Sequence, residues 1–168
     1  MANYAKIVLI AIPLFILYLI FAGTFSIEDV VFGALASLIV STLISEVLVK
    51  QHKKLTELNR LAVLIKYFFH YITAIEFRAH SDVIKRIFSP KMPINPGIVK
   101  VPYHVETDYA LVTIANSITN TPGTVTVDVD KEEKKLFVHW IDVKGIDEKL
   151  TYEKISKTFE EYAKRIFD

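Results

Sequence analysis

"NSITNTPGTVTVDVD" (residues 116–130) joins a helical pattern to an alternating one, and the fold of everything around it follows from that join. Pro122 fixes φ and Gly123 tolerates a positive φ, so "TPG" is turn chemistry. Upstream, "TDYALVTIANSI" places Leu111, Ile114, Ala115 and Ile118 at helical spacing, with Thr107 as the N-cap. Downstream, "TVTVDVD" puts Val125, Val127 and Val129 on one strand face and Thr124, Thr126, Asp128 and Asp130 on the other. "DKEEK" then turns the chain into "LFVHWIDV", which is apolar on both faces and reads as a central strand. Before the helix, "IVKVPYHV" alternates through Val99, Val101, Tyr103 and Val105, and Pro102, lacking an N–H, makes it an edge strand. From Asp147 an amphipathic helix turns Leu150, Ile155, Phe159, Tyr162 and Ile166 inward. Glu153–Lys157, Glu160–Lys164 and Glu161–Arg165 are spaced as i,i+4 pairs on its outside. The order strand, helix, strand, strand, helix predicts a small two-layer α+β domain over 98–168. The stretch "SPKMPINPG" (89–97) is its Pro-rich linker.

The N-terminal part is of another kind. The 168 residues have a mean hydropathy of +0.34, and the apolar residues are concentrated: Ile7 to Ile27 and Val30 to Ser45 carry no charged side chain. A hydrocarbon core of ~30 Å takes about 20 helical residues, so two membrane helices are expected, over about 4–23 and 29–49. Lys6 could head a signal peptide, but the apolar stretch is long and "AGTFS" is a poor cleavage site. The loop "GTFSIED" carries Glu28 and Asp29 and no base, whereas "KQHKKLTELNR" carries Lys50, Lys53, Lys54 and Arg60. Basic loops stay cytoplasmic, which puts both ends of the hairpin, and the domain behind it, in the cytoplasm. Residues 1–94 hold ten bases and six acids, residues 95–168 ten bases and thirteen acids. The basic excess belongs to the membrane part, and no case for nucleic acid arises. The absence of cysteine excludes disulfides and thiolate-held metals.

Within the second span, Gly33, Ser37, Ser41 and Ser45 recur every four residues as a ridge of small side chains, which lets another backbone approach closely. Its partner is the first helix or another subunit. Pro13 predicts a kink in the first span. Glu46 is the span's one ionisable group, with Lys50 four residues on to pair with it. The third apolar segment, "LAVLIKYFFHYITAIEF" (61–77), aligns Lys66, His70, Thr73 and His80 on one stripe. It spans the membrane or lies in its interface; Arg78, Lys85, Arg86 and Lys91 after it make both flanks basic and favour an in-plane amphipathic helix over 61–87. Lys66, His70 and Glu76, with Glu46, are the candidates for a polar contact or ion path. The whole is a membrane α-helical hairpin with an in-plane helix, residues 1–88, followed by the α+β domain.

Asp128 and Asp130 could bind a cation or act as an acid–base pair. Lys134 and Lys135 lie just across the hairpin, however, and the intervening threonines suit a solvated strand. His52, His70, His80, His104 and His139 show no metal-ligand spacing. No phosphate loop or nucleophile elbow is present. No catalytic, cofactor-binding or metal residue is expected, and the chain does not read as an enzyme.

"TDYALVTIANSITNTPGTVTVDVD" followed by "KLFVHWIDV" resembles the E subunit of the Mrp-type multisubunit sodium/proton antiporters, as does the preceding "SDVIKRIFSP…NPGIVKVP". The resemblance covers nearly the whole chain. Its most specific part is the run NS-x-T-x-TPGT-x-T-V-D, here Asn116, Ser117, Thr121, Pro122, Gly123, Thr124 and Asp128. It implies a small, non-catalytic membrane subunit, without a cofactor, set among other small hydrophobic subunits in the lipid bilayer. The same module is built into archaeal membrane-bound hydrogenase and related respiratory complexes. A Lys- and Glu-rich, cysteine-free, glutamine-poor composition leans toward a thermophile and so toward those complexes. A stand-alone, membrane-anchored binding module is the alternative.

Overall fold

The computed structural model describes residues 2–48 and 57–168. The chain divides into two packed units, Met1–Glu57 and Leu58–Asp168. In the first, helix α1 (Ala2–Ala22) packs along helix α2 (Ile27–Leu48). Tyr4–Ala22 and Ile27–Leu48 are long and apolar enough to cross a membrane, with mean hydropathies of 2.6 and 2.0. Between them Gly23, at φ +68°, ends α1, its N–H reaching Leu19 O at 3.2 Å. Ser26 caps α2: its Oγ accepts from Asp29 N at 3.1 Å and donates to the Asp29 carboxylate at 2.6 Å. Lys50, Lys53 and Lys54, and with them the Glu46–Lys50 pair, lie outside the described residues.

The second unit opens with a long helix, α3 (58–87). It is α-helical over Leu58–His70 and Glu76–Ile87, and its central turn, Tyr71–Ile75, is π-helical, closed by Glu76 N to Tyr71 O. Strand β1 (Gly97–Pro102), helix α4 (Asp108–Asn120), strands β2 (Thr124–Asp130) and β3 (Lys135–Trp140), and helix α5 (148–167) follow. The sheet is antiparallel in the order β1-β3-β2, with the doubly apolar β3 in the centre and Pro102 on an edge strand. Thr107 caps α4, accepting from Ala110 N at 3.2 Å. Ile114 and Ile118 of α4, Val101, Leu136 and Val138 of the sheet, and Ala163 of α5 are sealed from solvent between the layers.

The structure corrects three expectations. The break between units falls at Glu57/Leu58, ahead of the Pro-rich stretch 89–97, because Val63 and Tyr67 of α3 are buried in the core of the α+β domain with Tyr71 and Ile75 beside them. The valines of β2 do not share a face. A bulge between Thr126 and Asp128 leaves Val127 without a partner on β3, so Thr126 pairs with Val138 and Val129 with Leu136 on the core side. Val125 and Val127 face outward, 45% and 56% exposed. Glu160, spaced as an outer ion-pair residue, is fully buried instead.

Candidate functional site

In the hairpin, the small-residue ridge of α2 lies inside the packing. Gly33, Ser37, Ser41 and Ser45 are its buried residues. A Cβ built on Gly33 would stand 2.4 Å from Cδ1 of Tyr18 on α1, so the tyrosine ring occupies the space that a side chain would need. Ser41 is sealed and sends its hydroxyl to Leu38 O of its own helix at 3.0 Å. Near the opposite end of the seam Lys6 Nζ meets Glu46 Oε2 at 3.2 Å, linking α1 to α2.

In the α+β domain the motif around residue 120 closes the C-terminal end of α4. The last carbonyls of a helix have no partner within it; here a hydroxyl supplies one to Ile118 O, and two more add to Ser117 O and Ala115 O, which backbone N–H groups already reach. Thr121 Oγ1 donates to Ser117 O at 2.7 Å, Thr124 Oγ1 to Ile118 O at 2.7 Å, and Thr126 Oγ1 to Ala115 O at 3.1 Å. Gly123 follows at φ +97°, and its carbonyl accepts from Ile141 N at 2.9 Å, which ties the turn to β3. Pro122 sets up that turn, while Asn116 is exposed on α4. Asp128 Oδ1 accepts from Val129 N at 2.8 Å and so pins the bulge. Asp130 Oδ1 accepts from Glu132 N and Glu133 N, both at 2.9 Å, in the β-hairpin turn.

Helix α3 meets this motif with two tyrosines. The Tyr67 hydroxyl is hydrogen-bonded to Ser117 Oγ, which also donates to Thr113 O at 2.6 Å. Tyr71 Oη reaches Ser117 O at 3.4 Å and accepts from Asn120 Nδ2 at 3.2 Å. Burial, only partly offset by the bond to Ser117, pushes the Tyr67 phenol up to about 12.

Lys66, His70 and Glu76 share α3 but do not converge. Lys66 is exposed. His70 Nδ1 lies 3.1 Å from Tyr162 Oη on α5, and Glu76 Oε2 lies 3.3 Å from His80 Nδ1. The extra residue of the π turn carries His80 off the stripe on which the spacing aligned it with Lys66, His70 and Thr73.

One cluster went unread in the sequence. The buried Glu160 carboxylate accepts from His104 N at 3.1 Å and Tyr152 Oη at 3.3 Å and pairs with Lys164 Nζ at 2.9 Å. The signal was Glu160's place between Ser156 and Ala163, inside the apolar stripe of α5. In the motif and in the Glu160 cluster the polar groups are engaged with backbone or with one another, whereas Glu76 Oε1 is buried without a hydrogen-bond partner among the described residues. Among the described residues no group of three or more His, Asp or Glu side chains could hold a metal ion.

A family model described as a Na+/H+ ion antiporter subunit matches residues 11–166. This chain belongs to that Na+/H+ antiporter E-subunit family. It is similar to the E1 subunit of the Na(+)/H(+) antiporter of Staphylococcus epidermidis, 27% identical over 90% of this chain and 91% of that one. To the antiporter's E subunit from Alkalihalophilus pseudofirmus it is 48% identical over 65 residues, which are 39% of this chain and span only 41% of that relative. Among solved structures, it resembles a chain of the membrane-bound sulfane sulfur reductase, an archaeal respiratory membrane complex. That match has a TM-score of 0.82 at 35% identity and covers 97% of this chain and 99% of the other.

Proposed function

We propose that this chain is a non-catalytic membrane subunit of a multisubunit cation/proton-translocating complex, serving assembly and ion translocation alongside other small hydrophobic subunits. The observation that carries this is the near end-to-end likeness to a chain of an archaeal respiratory membrane complex, together with the family match over 11–166. The same likeness favours a respiratory complex of that kind, or a related membrane-bound hydrogenase, over a free antiporter as host. The non-catalytic reading rests on how the motif spends its polar groups: Ser117, Thr121, Thr124 and Asp128 serve backbone groups of α4 and β2.

In this reading α1 and α2 cross the bilayer as a hairpin closed by the Gly33–Ser45 ridge. The N-terminus and the α+β domain lie in the cytoplasm, and α3 lies in the membrane interface. Purification of the native complex in mild detergent tests it. Co-purification with several hydrophobic subunits is expected, and their identity separates a respiratory host from an antiporter; a lone monomer would overturn the proposal in favour of a stand-alone anchored module. Orientation has its own test, because the chain has no cysteine. Ser26→Cys should react with an impermeant thiol reagent from outside, and Val127→Cys, at an exposed position of β2, only after the membrane is opened; the reverse pattern would refute the two-span orientation.

A further inference from the structure

We infer that α3 binds anionic phospholipid, with an outward apolar stripe in the acyl region and a row of bases on the headgroups. The inference rests on the membrane-subunit reading and names the ligand of its in-plane helix. One face of α3 is committed to the α+β core through Val63 and Tyr67. On the opposite side Ile65, Phe69, Ile72, Phe77, Ile84 and Phe88 are 50%, 60%, 51%, 74%, 50% and 82% exposed. Aromatic and aliphatic side chains in such a row need an apolar partner.

The π turn makes the row continuous. From Lys66 to Arg78 is twelve residues, and the one extra residue absorbed at Tyr71–Ile75 leaves the equivalent of about three α-helical turns. From Arg78 to Lys85 is seven residues, about two turns. The three bases, all exposed, therefore line one flank of the apolar stripe over the length of the helix. An unbroken α-helix would rotate the second half by one residue and scatter them.

The charges along that flank select lipid over a protein face. Its one exposed acid, Asp82, is held by Arg86 Nε at 2.8 Å, and Glu76 is mostly enclosed and pairs with His80. A row of bases beside bulky apolar side chains is the chemistry of an in-plane helix on an anionic leaflet.

The test uses the whole complex in nanodiscs, with nitroxide labels at Phe69→Cys and Phe77→Cys and at the exposed Lys154→Cys as control. Relaxation by oxygen reports lipid, and relaxation by a water-soluble nickel chelate reports solvent. In discs containing phosphatidylglycerol both α3 labels should be relaxed by oxygen severalfold more than the control. That excess should fall in pure phosphatidylcholine, and in the triple variant Lys66→Glu/Arg78→Glu/Lys85→Glu. Labels reached by neither reagent would mean a protein neighbour, and labels reached by nickel would mean solvent; either overturns the lipid assignment. Oxygen access indifferent to lipid charge and to the triple variant would overturn the role of the bases. The subunits retained by each preparation are scored separately, so the lipid inference can fail while the subunit reading stands.

Discussion

In the hairpin, Ser37, Ser41 and Ser45 are buried because they are small; in the α+β domain, Ser117, Thr121, Thr124 and Thr126 are held inside, or half inside, by what their hydroxyls bond. Ser41 returns its hydrogen bond to Leu38 O of its own helix and asks of α1 only room. Thr124 reaches across a turn to Ile118 O, a carbonyl that would otherwise be unpaired at the end of α4, and Thr126 reaches Ala115 O within the helix. The same residue types thus answer to two kinds of physics. Where lipid is the solvent, burying apolar surface yields little, so helices gain by approaching closely. Where water is the solvent, the core is apolar and the cost lies in unsatisfied backbone groups. Substitutions that change volume should therefore hurt the hairpin most, and those that change backbone freedom or hydrogen bonding should hurt the domain.

The largest effect is expected at the seam. Ser41→Leu puts a branched side chain where none is accommodated, and overpacking of this kind costs about 1–3 kcal/mol, occasionally more. Its midpoint in denaturing detergent should drop clearly, and the distance between nitroxides at Leu17→Cys and Leu43→Cys should broaden. Both labels sit on exposed positions, 48% and 74% accessible. Ile39→Phe, which changes volume away from the seam at a position 62% exposed, should do neither. If Ser41→Leu and Ile39→Phe behaved alike, the ridge would not be closing the hairpin.

Next comes Gly123→Ala. A side chain at φ +97° is strained, and its Cβ would approach Ile141 Cγ2 at 3.0 Å. A cost of about 1–3 kcal/mol follows. The single tryptophan, Trp140, lies on β3 opposite both Gly97 and Thr124 and reports the domain's unfolding by its emission. A Gly123→Ala variant as stable as the parent would show that the turn does not need its glycine.

Tyr67→Phe should cost less, about 0.5–1.5 kcal/mol at neutral pH, because Ser117 Oγ keeps its bond to Thr113 O. Its signature is in the alkaline limb. The Tyr67 pKa is raised from 10.0 to about 12 in the folded state, so the folded protein holds that proton more tightly. The associated stability is complete below pH ~10 and is lost as pH rises toward 12. Tyr152 is likewise raised to about 12, by burial and then by Glu160. Tyr67→Phe should flatten part of the decline in stability between pH 10 and 12 and leave the rest. An unchanged slope would remove Tyr67 from the account.

Much of this was legible in the chain. The period-two and period-3.6 patterns, the Thr107 cap and the Pro102 edge are local signals, and each settled into the expected element. What escaped were single-residue insertions. The bulge at Val127 and the π turn at Tyr71–Ile75 each add one residue to a regular ladder, and nothing in "TVTVDVD" or "YITAI" departs from its period. Both are fixed by tertiary contacts: pairing with β3 sets Thr126 against Val138 and Asp128 against Phe137, and α3 must present Val63 and Tyr67 as well as Tyr71 and Ile75 to one domain. Glu160 escaped for a related reason. Its spacing to Lys164 is the same whether the pair is solvated or, as here, built around a buried carboxylate.

The bulge gives the smallest effect, and the most discriminating. Read as a regular strand, Val127 belongs to the apolar face, and Val127→Asp should unfold the domain by burying a charge. With the bulge, Val127 is 56% exposed and pairs with nothing on β3, while Val129, two residues on, packs against the core beside Leu136. Val127→Asp should therefore change stability by no more than about 0.5 kcal/mol, as for other surface positions. Asp128→Asn with Asp130→Asn should be as mild, since an asparagine oxygen can still accept from Val129 N and from the turn amides. Val129→Asp, by contrast, should lose the cooperative Trp140 transition. Measured side by side through Trp140, a tolerant 127 beside an intolerant 129 is the pattern that only a bulged strand produces. A regular strand would make both substitutions destructive, because 127 and 129 would then point the same way.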